Sequence, residues 1–190
     1  MKDIKQIMKD GGPERDQLIL QQENNVRIII NRMWPTLFPH IPFSPLQLAS
    51  NKWSSLDTRN EHFFIEIKST TQSVDIYGYP LDSEKLKKMM SQAYTAYMED
   101  KRRRDVFLVV QHLKSEKHFK LYLFNLTRDF DLSSHSNPFN HSENKWPWNG
   151  KEKLYVNKYS SENLKKQVYK LMPSQAQIIY DNTYEMEQKI

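Results

Sequence analysis

The sequence predicts a mixed α/β fold, a central mixed β-sheet flanked by helices, and three observations carry that reading. An apolar stripe at helical spacing opens the chain, Ile19, Val26, Ile30 and Met33, with Glu23 set into it. The segment His62-Phe63-Phe64-Ile65-Glu66-Ile67-Lys68 has the period and composition of a strand. A second helical pattern over 83–100 is followed by two apolar runs of strand length, DVFLVVQHL and FKLYLFNL. Helical and strand patterns interleaved along 190 residues are most simply layers of one domain.

Taken in order, residues 14–33 read as the first helix, with Pro13, Glu14 and Asp16 suited to a first turn and Trp34-Pro35 to its end. Residues 35–55 carry Pro35, Pro39, Pro42 and Pro45 and resist regular structure, apart from a short strand over Lys52–Leu56. Arg59-Asn60-Glu61 forms a turn into a strand over 62–70. Residues 74–80 extend the sheet or form a loop, and Pro80-Leu81-Asp82-Ser83 starts a helix. That helix, 83–100, lines up Leu86, Met89, Met90, Ala93 and Tyr97, and its end at Lys101-Arg102-Arg103-Arg104 complements the helix dipole. The two apolar strands after it read as hairpin neighbours. Residues 127–150 form a long polar loop ending in Trp146-Pro147-Trp148, and 161–172 and 174–188 read as helices. The whole is one domain over 1–190, with a core over 14–126 and a polar loop plus helical part over 127–190.

Composition narrows the function. With no cysteine, disulfides, thiol catalysis and Cys-ligated zinc are excluded, which fits a reducing cytoplasm. No stretch approaches the ~18 apolar residues of a membrane span, and the first residues lack the apolar core of a secretory signal. A net charge of +5 leans toward an anionic partner.

The strand at 62–70 poses the chemical question. Alternation sends Phe63, Ile65 and Ile67 to one face and Phe64, Glu66 and Lys68 to the other. A carboxylate and an ammonium buried together need each other, a metal or solvent. Across the turn, Asp57 falls near Glu66. Two carboxylates and a lysine meeting at a sheet edge can hold Mg²⁺ through hard oxygen ligands and act on a phosphodiester.

This constellation resembles the PD-(D/E)XK nuclease superfamily, whose members include restriction endonucleases, Holliday-junction resolvases and repair nucleases. Asp57 matches the motif's first acid, Glu66 its second and Lys68 its lysine; Leu56 stands where the motif's name has Pro. The pattern [D/E]-x-K occurs five times in the chain, but only Glu66-Ile67-Lys68 lies in an alternating strand preceded by an acid at hairpin distance. The resemblance covers residues 14–126. It implies a restriction-endonuclease-like core with helices C-terminal to it, and Mg²⁺ or Mn²⁺ held by Asp57, Glu66, the Ile67 carbonyl and Glu23. It further implies Lys68 acting on the attacking water and Gln92 orienting the site, with Lys88 one turn earlier. The substrate would be DNA, with RNA open, cut as a restriction-type enzyme before a resolvase or repair nuclease, in a possible homodimer. Lys88, Arg102, Arg103 and Arg104 are the candidate contacts to the nucleic-acid backbone.

Blander readings stand beside these. Glu66 and Lys68 also read as an ion pair on a solvated sheet face, Asp57 as a turn residue, Glu23 as the wet edge of its stripe, the run 101–104 as a solvated helix end, and Lys85, Lys87 and Lys88 as ordinary exposed helix lysines also able to face phosphates. A non-catalytic nucleic-acid-binding module of degenerate nuclease fold is the rival function.

Overall fold

A computed structural model of the chain describes residues 4–48, 56–115, 118–130, 154–158 and 165–181. Helix α1 (Ile4–Asp10) precedes α2 (Gly12–Arg32), in which Pro13 falls in the first turn, where its missing N–H has no intrahelical partner to lose. Val26 and Ile30 of the predicted stripe are fully buried. Trp34-Pro35 ends α2 and at once begins a second short helix, α3 (Trp34–Leu37). Its Trp34 is buried and donates its indole N–H to the Ile41 carbonyl at 2.9 Å.

The chain continues through β1 (Gln47–Leu48), β2 (Thr58–Arg59), β3 (Phe63–Thr70), α4 (Val74–Tyr77), β4 (Tyr79–Asp82), α5 (Ser83–Asp100), β5 (Asp105–Ser115), β6 (His118–Asn125) and α6 (Leu126–Asp129). It then forms β7 (Leu154–Lys158), β8 (Lys165–Leu171) and β9 (Ile178–Asp181). Six strands make the central sheet in the order β1-β2-β3-β5-β6-β9. The pair β3–β5 is parallel and its other neighbours are antiparallel. A parallel pair needs a crossover, and α4, β4 and α5 supply it. The fold class is therefore the predicted one, mixed α/β with a mixed central sheet between helices.

Both faces of the sheet are covered. Phe63, Ile65 and Ile67 pack with Phe107 and Val109 against Val26, Ile30, Trp34 and Phe38. On the other face, Phe64 packs with Val106, Leu108, Tyr122 and Phe124 against Leu86, Met89, Met90 and Ala93 of α5. A second sheet, β4-β8-β7, completes that layer, contributing Leu81, Tyr169 and Leu171 to the same cluster. Buried on two sides, β5 is apolar at every residue from Val106 to Val110.

The C-terminal helices expected over 161–172 and 174–188 are corrected by the structure. Lys165–Leu171 is a strand and Ile178–Asp181 is another, joined by a 3-10 turn over Pro173–Gln175. The cause is tertiary. β8 lies between β4 and β7 and β9 completes the edge beyond β6, so pairing partners override the helix-forming Lys, Gln and Leu of the segment. Residues 74–80 form α4 and the start of β4, joined through Gly78. The loop expected over 127–150 begins as α6; its part from 131 on, with Trp146 and Trp148, lies outside the described residues, as do 52–55 of the short strand expected over Lys52–Leu56.

Candidate active site

The β2–β3 hairpin sets the first two acids. Thr58 pairs with Ile65, and one residue back the Asp57 N–H donates to the Ile65 carbonyl at 3.0 Å. Strand β2 goes no further, so the next inward group of β3 lacks a strand partner. The Asp57 side chain takes that place: the Ile67 N–H donates to its Oδ2 at 2.6 Å. In extended chain a residue's N–H and C=O point to the same side. The Ile67 carbonyl therefore faces the Asp57 side of the strand.

Glu66 points to the α5 face and is buried, 2% exposed. The solvated ion pair of the blander reading is thus replaced by a buried one. Lys68 Nζ lies 2.6 Å from Glu66 Oε1, and Lys85 Nζ, from the first turn of α5, lies 3.1 Å from the same oxygen. Glu66 Oε2 is buried without a hydrogen-bond partner. Burial pushes the Glu66 carboxyl from its ordinary 4.5 up to about 7; Lys68 opposes the rise and Asp57 adds to it. For Lys68, burial works against the charge, but attraction to Glu66 and Asp57 outweighs it and holds the ammonium above the ordinary lysine range. Lys85 is held below that range by burial and by Lys68. The Tyr79 hydroxyl, within electrostatic reach of Lys68 and Glu66, is pushed up by burial to about 12.

Glu23 reaches the same centre from α2, on the opposite face of the sheet. Burial pushes it up to about 7, Asp57 adds to the rise, and Lys68 and Lys85 oppose it. Its neighbour Gln22 is tied to the sheet: Gln111 Nε2 donates to Gln22 Oε1 at 3.2 Å, and Ser69 Oγ donates to Gln111 Oε1 at 3.0 Å. This part-buried polar chain, centred on the buried Gln111, ties the α2 turn carrying Glu23 to β3 and β5. Asp57, Glu66 and Lys68 are thus brought together, and Glu23 stands within electrostatic reach of Asp57 and Lys68. Gln92 is half-buried on α5, two turns along from Lys85 on the same flank, about 10 Å further down the helix.

The chain matches no protein-family model, no curated protein and no solved structure.

Among the described residues, no three carboxylate or imidazole groups form a cluster able to hold a metal ion. The residues present nonetheless fit Mg²⁺ better than a cation needing an all-protein cage. Mg²⁺ keeps several waters and takes one or two carboxylates together with substrate phosphate. Glu66 Oε2 is an unpaired hard oxygen, Asp57 lies within electrostatic reach of Glu66, and the Ile67 carbonyl faces the Asp57 side, which is such a partial set.

The basic residues proposed for nucleic-acid contact are placed differently from one another. Lys88 and Arg103 are exposed. Arg102 lies 3.7 Å from Glu61. Arg104 is buried: its Nε donates to the Asn60 carbonyl at 2.9 Å, its terminal nitrogens hold Asp100 at 3.2 and 2.6 Å, and its guanidinium covers the Phe64 ring. It anchors the turn before β3 to the end of α5. Arg103, His40, His62 and Arg104 line an open cavity of about 370 Å³ at the start of β3 and β5, the far end of β3 from Lys68.

Sequence reasoning grouped Lys85 with Lys87 and Lys88 as ordinary helix lysines. A signal separated it. At 100° per residue, Lys85 flanks the stripe of Leu86, Met89, Met90 and Ala93 closely, whereas Lys88 lies almost opposite.

Proposed function

We propose that the chain is a divalent-metal-dependent nuclease, most simply a DNA endonuclease, hydrolysing phosphodiester bonds. One observation carries the reading: a buried glutamate with one unpartnered oxygen, Glu66, lies between an anchored Asp57 and a charged Lys68 at the edge of a central strand. Structural ion pairs seldom leave a buried carboxylate oxygen unsatisfied, and buried carboxylates with raised pKa cluster at functional sites.

In this reading Asp57, Glu66 and the Ile67 carbonyl would hold Mg²⁺ or Mn²⁺, which would supply Lewis-acid polarisation of the phosphate and a more acidic water. Asp57 keeps its orientation through the Ile67 N–H. Lys68, held firmly in its charged form, steadies the negative charge that builds on the phosphate and does not serve as the base. Glu23, pushed up to about 7, is suited to take a proton from the attacking water near neutral pH. The water oxygen would join phosphorus as its proton passes to Glu23, the bond to one ester oxygen would break, and that oxygen would leave after taking a proton from solvent water. Cutting both strands of a duplex would call for a second copy of the chain.

A non-catalytic nucleic-acid-binding module draws on a different observation, that two ammonium groups already neutralise Glu66 and no three-ligand cluster exists among the described residues. One experiment separates the two: cleavage of supercoiled plasmid with Mg²⁺ or Mn²⁺, with Lys68→Ala and Glu66→Ala beside the wild type. Metal-dependent nicking absent from both variants is the expected result. A wild type that binds but never cuts plasmid, branched DNA or RNA favours the binding module.

A further inference from the structure

Two ammonium groups share Glu66 Oε1, and they are not equivalent. Lys68 is fixed on the same strand, lies closer at 2.6 Å, and is drawn by Asp57 as well as Glu66. Lys85 approaches from α5 at 3.1 Å, is the more exposed side chain at 37% against 25%, and is repelled by Lys68. A divalent cation arriving at the free oxygen of Glu66 meets both positive charges. Three cationic groups on one carboxylate repel, and the group with the weakest hold and the easiest route to water leaves first.

Lys85 has somewhere to go. Its stem rises from the first turn of an 18-residue helix, capped by Asp82, which accepts from the Glu84 N–H at 2.8 Å. Four flexible methylenes let the ammonium swing while the backbone stays fixed. A partly exposed ammonium that loses its carboxylate needs another anion, and in the nuclease reading the group arriving there with the metal is a phosphodiester.

Resting on the nuclease reading, we propose that Lys85 is a displaceable counter-ion: it neutralises Glu66 in the metal-free chain, gives up that carboxylate to the divalent cation, and then holds a phosphate of the bound polynucleotide. Lys85 is thereby a phosphate-binding residue that the Asp57, Glu66, Lys68 motif does not contain. Its role makes metal and substrate binding mutually supportive, because each offers a charged group a partner as the other removes one.

The test measures two affinities in one variant. Mg²⁺ uptake by the nucleic-acid-free chain is followed by calorimetry, and binding of a short duplex DNA in Ca²⁺ by anisotropy over a salt series. Wild type is compared with Lys85→Gln and Lys85→Arg. For Lys85→Gln the expected result is Mg²⁺ binding roughly three- to tenfold tighter, since a competing cation is gone. Duplex binding should be roughly tenfold weaker, with the salt slope reduced by about one ion. Lys85→Arg should restore duplex affinity. A merely structural lysine moves both affinities the same way, or neither. Mg²⁺ binding by Lys85→Gln that is unchanged or weaker overturns the proposal, as does an unchanged duplex affinity and salt slope. A wild type that takes up no Mg²⁺ overturns the nuclease reading and this hand-over with it. Normal uptake and cleavage alongside an inert Lys85→Gln overturns the hand-over alone.

Discussion

Replacing Glu66 by glutamine gives the sharpest physical test of the site, because it needs neither metal nor substrate. The folded chain raises this carboxyl from 4.5 to about 7, and each unit is worth about 1.4 kcal/mol. Glu66 is buried, so the full effect of about 3 kcal/mol applies. The sign follows from proton counting. Between pH 4.5 and 7 the folded state keeps a proton that the unfolded state has released, so the wild type loses stability as pH rises through that window and levels off above it. Glutamine does not titrate. Urea unfolding of both proteins at fixed ionic strength with chelator present, followed by tryptophan fluorescence, therefore has a defined outcome. The stability of Glu66→Gln relative to wild type should climb by about 3 kcal/mol from pH 4.5 to 7.5. An ordinary buried ion pair does the reverse: its glutamate pKa is lowered, and removing it hurts more as pH rises. A relative stability that stays flat or falls refutes the reasoning, and with it the claim that burial outweighs the two lysines.

Mg²⁺ should raise the thermal midpoint of the wild type at pH 8 and much less at pH 6: ionising one carboxylate with pKa about 7 changes apparent affinity about tenfold over that interval, and Asp57→Asn should abolish the response. Lys68→Ala should lower plasmid cleavage by about 10²–10⁴-fold with duplex binding in Ca²⁺ largely kept, which rate and anisotropy measurements separate. Gly78→Ala should destabilise by more than about 1 kcal/mol in urea, because Gly78 has φ +68° and an added Cβ would lie 2.8 Å from both the Leu171 carbonyl and Met172 Sδ. Leu171→Ala should cost about 2–5 kcal/mol, since that side chain, fully buried, joins the second sheet to the α5 core.

What was legible in the sequence was local. Alternation from Phe63 to Lys68 fixed which side chains face which way, and a turn of a few residues put Asp57 in register with that strand. Glu23 stood out because a charge interrupted a regular stripe. The features that escaped depend on packing between distant segments. Lys85 meets Glu66 only because α5 lies across β3, and no spacing between residues 66 and 85 encodes the angle of that crossing. Arg104 looked like a solvated helix end, yet the αL turn at Lys101 folds it back onto Asp100 and Asn60. The C-terminal strands were hidden for another reason. In β8, lysines and Gln167 surround Val168, Tyr169 and Leu171, a composition that suits a helix face or a half-exposed strand equally, and pairing with β4 and β7 decides it. Ile178-Ile179-Tyr180 did carry a strand signal, two β-branched residues followed by an aromatic.

The cluster is hard to explain as a stabilising device. A fold that needed only a filled position at residue 66 would do better with an apolar side chain matching Phe64, its neighbour on the same face, since apolar replacements of buried ion pairs are often neutral or favourable. Here the chain places three carboxylates and two lysines around one strand edge, raises two of the acids to near neutrality, and leaves one oxygen unsatisfied. It also builds a part-buried polar chain, Ser69 to Gln111 to Gln22, that ties the turn bearing Glu23 to the sheet. Each of these features lowers stability or gains little by itself. Together they put charge and one unpaired carboxylate oxygen where an apolar side chain would pack better, and it is on that pattern that the nuclease proposal rests.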